Sequence, residues 1–205
     1  MFNLIRENSR SVKRLIAAQL SVSIFSIMVI FATAAFATVN LLVSIFASCF
    51  YLYFIYIFMW EAGAKAAARK DRPDKKTGFK ASAAVMLTAN LLNLSCAVFY
   101  TVCKFIYLAS GSTNEIAVEA GNMAWFVVKV TQAMYLGIEV AVIKPQEGAA
   151  FIANPLYFFI IIIPPVAMGI AAYMLGLSEF SVLEKMGFKI KREYKSENTY
   201  KSNWK

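Results

Sequence analysis

The sequence contains no histidine, and this absence narrows the chemistry open to the chain. Histidine titrates nearest to neutral pH and is the commonest metal ligand, so histidine-based acid–base catalysis and the usual zinc, copper and haem sites are excluded. Cysteine is scarce as well: Cys49, Cys96 and Cys103 lie inside apolar runs, without a CxxC spacing. Free cysteine packs as a small apolar residue. We therefore predict that these cysteines are small buried apolar residues, and we predict no metal and no cofactor.

Charged residues are also few. They make up 16% of the chain, whereas 60% of it is hydrophobic and the mean hydropathy is +0.59. A soluble domain is about 45–50% apolar and about 25% charged, so the predicted solvent for most of this chain is lipid. A chain of 205 residues has room for roughly four to six spans of about 20 residues. We predict a single integral membrane domain.

The formal net charge of +9 comes from basic residues that stand beside apolar runs. A nucleic-acid partner would be one explanation of such a charge. Because each basic stretch adjoins a predicted span, the lipid bilayer and its anionic headgroups are the nearer partners. We predict no binding to nucleic acid.

The basic connector, residues 60–80, sets the predicted orientation of the chain. Lysine and arginine beside spans stay on the cytoplasmic side, which predicts a cell-membrane protein with a cytoplasmic N-terminus. Trp60, Glu61 and Lys65 are predicted interface residues at the start of this connector. Glu61 and Lys65 form an i,i+4 pair in a strong helix-forming run, so we expect the helix to continue past Trp60 and to end by Pro73.

The pattern of apolar runs predicts an all-α, polytopic bundle with four or five spans. The predicted segments are an amphipathic leader (1–14), five membrane-embedded segments (15–38, 41–60, 81–109, 122–143 and 149–177) and a basic tail (178–205). The leader has apolar residues at helical spacing among basic ones, which is typical of a helix on a membrane surface.

Two asparagines make the third segment unusually polar for a lipid-facing helix. Asn90 and Asn93 are three residues apart and share a helical face. An amide in hydrocarbon needs a partner, so this face is expected to point at another helix or at water. Either the two side chains contact a substrate or ion, or they form interhelical hydrogen bonds.

Residues 122–143 leave the number of spans open. On one continuous helix, Lys129, Gln132 and Glu139 fall within an arc of roughly 80°. If this helix crosses the bilayer, its charged stripe faces the bundle or a wet cavity. If it is peripheral or only partly inserted, four spans remain and both termini are cytoplasmic, which agrees better with the basic tail.

The last apolar run, 149–177, is interrupted by Pro164-Pro165. A proline pair must break or kink a helix. Broken helices line the binding sites of some transporters, but a single kinked span without such a site is the simpler interpretation.

Short motifs give a resemblance. The runs Trp60-Glu61-Ala62-Gly63-Ala64-Lys65 and Lys76-Thr77-Gly78-Phe79-Lys80, and Pro164-Pro165 followed by Tyr173-Met174-Leu175-Gly176, resemble small multi-pass bacterial membrane proteins. That group has no assigned activity, so the resemblance implies a class and no chemistry. Separately, the basic leader is similar to the helix that leads into exporter permeases of the ABC-2 type.

These patterns favour a non-catalytic membrane protein. No paired carboxylates, phosphate-binding glycine loop or other catalytic constellation is visible, so we predict that the chain is not an enzyme. The first hypothesis is a transporter subunit or small permease component that uses Asn90, Asn93, Lys129 and Glu139. The alternative is an accessory or scaffolding protein that binds anionic lipid or a partner through its basic segments. An oligomer or partner subunit is compatible with either hypothesis.

Overall fold

The computed structural model describes residues 9–33, 35–68, 73–142, 151, 154–178 and 180. Throughout these residues every regular element is helical, so the predicted all-α bundle is confirmed. The helices are α1 (Ser9–Ala32), α2 (Ala37–Ala67), α3 (Lys75–Ala89), α4 (Leu91–Ala109), α5 (Glu115–Thr131), α6 (Leu136–Val142), α7 (Pro155–Ile160) and α8 (Ile163–Leu177). A 3-10 turn, Ala133–Tyr135, joins α5 to α6.

Within the described residues, four helical stretches are long and apolar enough to cross a membrane. They are Ser9–Ala32, Ala37–Ala67, Leu91–Ala109 and Pro155–Leu177. Their outward faces carry large exposed apolar side chains, among them Phe31, Phe46 and Phe105. Such a surface is matched to lipid rather than to water.

Glycines bring α2 and α8 into backbone contact. A Cβ atom at Gly63 would collide with the Tyr173 carbonyl oxygen, and one at Gly176 with the Trp60 carbonyl oxygen. Small residues at helix–helix contacts allow this close approach. As a result, the ends of α2 and α8 lie side by side.

The consecutive helices α3 and α4 run antiparallel to α7 and α8. Gly78 packs on Leu177 and Met86 on Gly169. Further along, the Tyr100 and Phe158 ring centroids are 4.7 Å apart, and those of Tyr107 and Phe151 are 5.5 Å apart. The contacts therefore pair the start of α3 with the end of α8, and the end of α4 with the start of α7.

The bundle has two poles, which we name by the segments found there. The connector pole holds Arg14, the end of α2, the start of α3 and the end of α8, and the Arg14 Nη1 atom lies 2.9 Å from Glu61 Oε2. The loop pole holds the α1–α2 turn, where Thr33 donates to Asn40, and the α4–α5 loop, residues 110–114.

Several predicted boundaries need correction. Residues 9–14 of the leader are not a separate surface helix, because α1 runs without interruption from Ser9; residues 1–8 lie outside the described part. The second span extends to Ala67, as the Glu61–Lys65 pair predicted.

The predicted third segment, 81–109, is two helices. It begins earlier, at Lys75, and is interrupted at Asn90, whose side-chain Nδ2 donates to the Met86 carbonyl at 3.0 Å. An amide that competes for the helix's own carbonyls perturbs the helix at that point. The last segment is likewise divided, into α7 and α8, because Pro164 and Pro165 supply no N–H groups to the ladder.

Candidate functional site

The site is built by α5, which starts at the loop pole. Asn114 caps its first turn, accepting a hydrogen bond from the Ala117 N–H at 3.0 Å. The helix therefore starts at Glu115, before the predicted boundary at 122, and Ser112 just ahead of it occupies a left-handed turn with φ of 67°. From there α5 descends antiparallel to α4, with Gly121 against Cys103 and Thr131 against Asn93.

At Thr131 the helix ends inside the bundle. In a continuing helix the Thr131 carbonyl would accept from the Tyr135 N–H. Instead it accepts from Ser23 Oγ at 2.6 Å and from Gln19 Nε2 at 3.2 Å, both on α1. The Tyr135 N–H bonds to the Gln132 carbonyl at 3.0 Å. Side chains of α1 therefore replace the helical partner that the break removes.

After the break, α2 supplies the partners. Ser48 Oγ donates to the Met134 carbonyl at 3.2 Å, and Ser44 Oγ accepts from the Gly137 N–H at 2.8 Å. Gly137 sits directly on the Asn40 backbone, where no Cβ would fit. Met134 contacts Ser48 and Gly137 contacts Ser44 and Asn40, so successive residues contact positions nearer the start of α2. Because α2 starts at the loop pole, α6 runs back toward that pole.

Residues 115–142 therefore form a hairpin, which we call the turn-back hairpin. The prediction of a single helix over 122–143 is wrong, because hydrogen bonds from α1 and α2 stabilise a reversal at 132–135. The turn of the hairpin is nevertheless buried inside the protein: Gln132 is 4% exposed, and Ala133 and Met134 are also buried.

The two predicted asparagines support the hairpin tip differently. Asn93 Oδ1 accepts from Thr131 Oγ1 at 2.7 Å, an interhelical hydrogen bond between α4 and α5. Asn90 is equally buried, but its amide nitrogen bonds within its own helical path, and its Oδ1 has no hydrogen-bond partner among the described residues. The structure thus places only Asn93 at the tip.

Lys129, Gln132 and Glu139 are brought together, across the turn rather than along one helix. Lys129 Nζ lies 3.7 Å from Glu139 Oε1 and 3.8 Å from the centroid of the Trp125 ring. All four side chains line a small cavity of about 10 Å³. Its remaining walls are Val128, Tyr157, Phe158 and Ile161.

The predicted interface residues lie at the connector pole and take no part in this cavity. Glu61 pairs with Lys65 as well as with Arg14. The Trp60 Nε1 atom donates to the Phe180 carbonyl at 2.8 Å, which ties the end of the last helix to α2. These contacts join α1 and the segment after α8 to the end of α2.

Four residues at the hairpin tip were not predicted from the sequence: Gln19 and Ser23 on α1, and Ser44 and Ser48 on α2. Each pair is spaced by four residues in an otherwise apolar span, so each pair shares a helical face. That repeated spacing was the available signal.

Hydrogen bonding and one charge pair are the chemistry of this site. No group of three or more His, Cys, Asp or Glu side chains among the described residues could hold a metal ion. The site's polar atoms come from side chains fixed on at least four helices. Such an arrangement can bind a small polar species or a proton.

In the described part of the chain, fold and site together define an all-α bundle with four helical stretches long and apolar enough to cross a membrane and an internal turn-back hairpin. Comparison of the chain with protein-family models, curated proteins and solved structures finds no match. Any function must therefore be argued from the site itself.

Proposed function

We propose that the chain is a multi-pass membrane protein in which four helices cross the bilayer and the turn-back hairpin is re-entrant. Non-helical backbone at membrane depth is tolerated only where protein or water satisfies its polar groups. Around the reversal, the Thr131 and Met134 carbonyls and the Gly137 N–H are satisfied by side chains of α1 and α2. This pattern supports insertion of the hairpin from the loop pole.

The charge distribution supports a cytoplasmic connector pole in a cell membrane. Exposed basic side chains at that pole are Arg10, Lys13, Lys65, Lys75, Lys76 and Lys80. The loop 110–114 contains neither lysine nor arginine. By the positive-inside rule, the loop pole and both ends of the hairpin then face outward.

The function that the site supports best is that of a non-catalytic permease component or transporter subunit. The observation that carries this proposal is the Lys129–Glu139 pair, held beside a broken helix within the bundle. Ionisable residues at membrane depth are costly and mark ion, proton or substrate pathways. Broken helices that end at mid-depth serve the same purpose in known transporter folds.

The topology is tested by single-cysteine labelling in a background without the three native cysteines. We expect Ser112→Cys and Ala141→Cys to react with a membrane-impermeant maleimide from the same side, and Lys76→Cys from the other side. These positions flank the hairpin and the start of α3 and are exposed. Labelling of positions 112 and 141 from opposite sides would show a fifth span and exclude the re-entrant hairpin.

Transport is tested in proteoliposomes by solid-supported-membrane electrophysiology with a panel of monovalent cations, anions and small organic solutes. We expect at least one solute to evoke a current that Glu139→Ala abolishes. Glu119→Ala is the matched control, since Glu119 is an exposed carboxylate on α5 outside the cavity. Currents that are absent throughout the panel, or that are equal in both variants, count against a transport role for this pair.

The second candidate is an accessory protein held to anionic lipid. It rests on the exposed basic side chains at the connector pole, each of which contributes about 1 kcal/mol near an anionic surface. Replacing Lys75, Lys76 and Lys80 by glutamine is then expected to reduce the anionic lipid retained in native mass spectrometry. Unchanged lipid retention leaves these residues with only a topological role.

A further inference from the structure

The cavity between α5, α6 and α7 contains two polar atoms that lack a direct partner. Gln132 is 4% exposed, and its Oε1 atom makes no hydrogen bond with any described group. The Trp125 Nε1 atom is also buried; it lies near the Glu139 carboxylate but makes no hydrogen bond of ordinary geometry with the described residues. A buried polar group without a partner carries a large desolvation cost. One acceptor and one donor thus line the same small space.

The cavity has the size and the polarity of a water site. Its volume of about 10 Å³ corresponds to one water molecule, which also needs two to four polar partners. Gln132 Oε1, Trp125 Nε1 and the Glu139 carboxylate supply three. The Lys129–Glu139 separation of 3.7 Å is longer than a direct charge-assisted hydrogen bond of about 2.7–2.9 Å. The two charged groups are therefore near each other without a direct hydrogen bond of ordinary length.

We propose that this cavity is a hydrated proton-binding site, in which one water molecule bridges Trp125, Gln132 and Glu139 and carries protons to and from the Glu139 carboxyl group. In the binding step, a hydronium ion at the water position transfers one proton to a carboxylate oxygen of Glu139. The products are a neutral carboxyl group and water. Release is the reverse step, so atoms and charge balance without a further reactant.

Lys129 has a second contact besides Glu139. Its Nζ atom lies 3.8 Å from the Trp125 ring centroid, within the range of a cation–π interaction. Its side chain is also 27% exposed, whereas that of Glu139 is 10% exposed. The ammonium group can thus reach toward the surface while the carboxyl group stays inside.

On the connector side, the hairpin tip is closed by buried Ala133 and Met134 and by the Thr131 hydrogen bonds. Among the described residues, Tyr157 on α7 is a further titratable group near Glu139, and Tyr135 on the 3-10 turn lies near Tyr157. The Tyr135 hydroxyl is buried and unpartnered in the described structure. Lys129 is the only cation among the described cavity-lining residues.

This inference deepens the proposed function by naming the proton as the species bound, and it rests on the proposed insertion of the hairpin. It does not require net transport. A proton site without solute currents would refute the permease role alone, whereas currents without a proton site would refute only this inference.

The test is a pH titration of the purified full chain in lipid nanodiscs by infrared spectroscopy. On lowering the pH, we expect a carbonyl stretching band of a protonated carboxyl group that shifts in D₂O. The other Asp and Glu residues also give such a band when they protonate, so the contribution of Glu139 is taken from the difference between the spectra of the native chain and Glu139→Gln. Glu119→Gln, which replaces an exposed carboxylate on α5, is expected to retain this contribution. No carboxyl band in that difference spectrum at any pH, with both proteins folded, overturns the proposal.

A second variant keeps the test decisive if Glu139→Gln does not fold. Gln132→Leu removes the amide acceptor and leaves the carboxyl group. We expect the band to persist but its shift after transfer to D₂O to slow by about tenfold, since the bridging water loses a partner. An unchanged exchange rate in a folded Gln132→Leu variant excludes the proposed water bridge.

Discussion

At the scale of single residues, the hairpin tip depends on Thr131. Its carbonyl accepts from two side chains of α1, and its hydroxyl donates to Asn93 on α4. Thr131 thus links its own helix, α5, to α1 and α4. The bonds from α1 replace the one that the Thr131 carbonyl would accept in a continuing helix. Removing a single donor leaves a buried carbonyl with fewer partners, which costs free energy in an apolar setting.

We therefore predict that Ser23→Ala lowers the free energy of unfolding by about 1 kcal/mol, the usual magnitude for an interhelical hydrogen bond in a membrane. The Ser23 hydroxyl donates to Thr131 at 2.6 Å, whereas Ser21, two residues earlier, is exposed. Chemical unfolding in mixed micelles measures the difference, with Ser21→Ala as the matched control. Equal effects of the two substitutions would mean that the tip contact contributes nothing measurable.

The sequence identified part of this site at the residue scale. Lys129, Gln132 and Glu139 were predictable because charged and amide side chains in an apolar run demand an explanation, and the structure does place them together. Ser23 and Ser48 were not, because a hydroxyl in a span can equally bond its own helix, as Ser26 does with the Val22 carbonyl. Only the fold distinguishes the two cases.

At the scale of elements, the helix ends follow local chemistry and the reversal does not. The Glu61–Lys65 pair predicted the extension of α2, and the Asn114 cap explains the start of α5. The break after Thr131 has neither proline nor glycine at residues 131–136, so residue propensities predict a continuing helix there. The helix ends after Thr131 because hydrogen bonds from α1 and α2 stabilise the reversal. Such tertiary contacts cannot be predicted from a single sequence.

A pH-dependent prediction concerns the start of α3, outside the spans. Asp74 caps this helix, and hydrogen bonds from the Thr77 side chain and backbone hold the pKa of its carboxyl group below the ordinary value of 3.8. The stabilisation by the charged cap is thus fully present above pH 3.8 and is lost as the pH falls through the lowered folded pKa. We expect the native chain to exceed Asp74→Asn in Tm at neutral pH.

Thermal unfolding of both proteins across the acid range checks this expectation. The Tm difference is expected to stay constant down to about pH 4 and to shrink below it, because asparagine caps the helix without titrating. A difference that does not change with pH would show that the charge of Asp74 plays no part in the cap.

At the scale of the whole molecule, the turn-back hairpin explains how residues 122–143 can be apolar without adding a span that would place the basic tail outside. The sequence offered either five spans with the basic tail outside or four spans with both termini inside. Under the proposed insertion, the hairpin returns to the loop pole, and the crossings are the four long apolar helical stretches of the described residues. Because α8 then ends beside Arg14 and the start of α3, the geometry supports the second alternative.

The last prediction follows from this arrangement: a reporter fused after Lys205 lies on the same side of the membrane as the basic connector. The Trp60 Nε1 hydrogen bond to Phe180 holds the chain at the connector pole just beyond α8, and the tail that follows is rich in lysine. A C-terminal fluorescent protein should therefore fluoresce and a C-terminal alkaline phosphatase stay inactive, while phosphatase inserted after Gly111 should be active. Active phosphatase at the C-terminus would require an odd number of crossings. The hairpin would then have to span the bilayer, against the hydrogen bonds that turn it back.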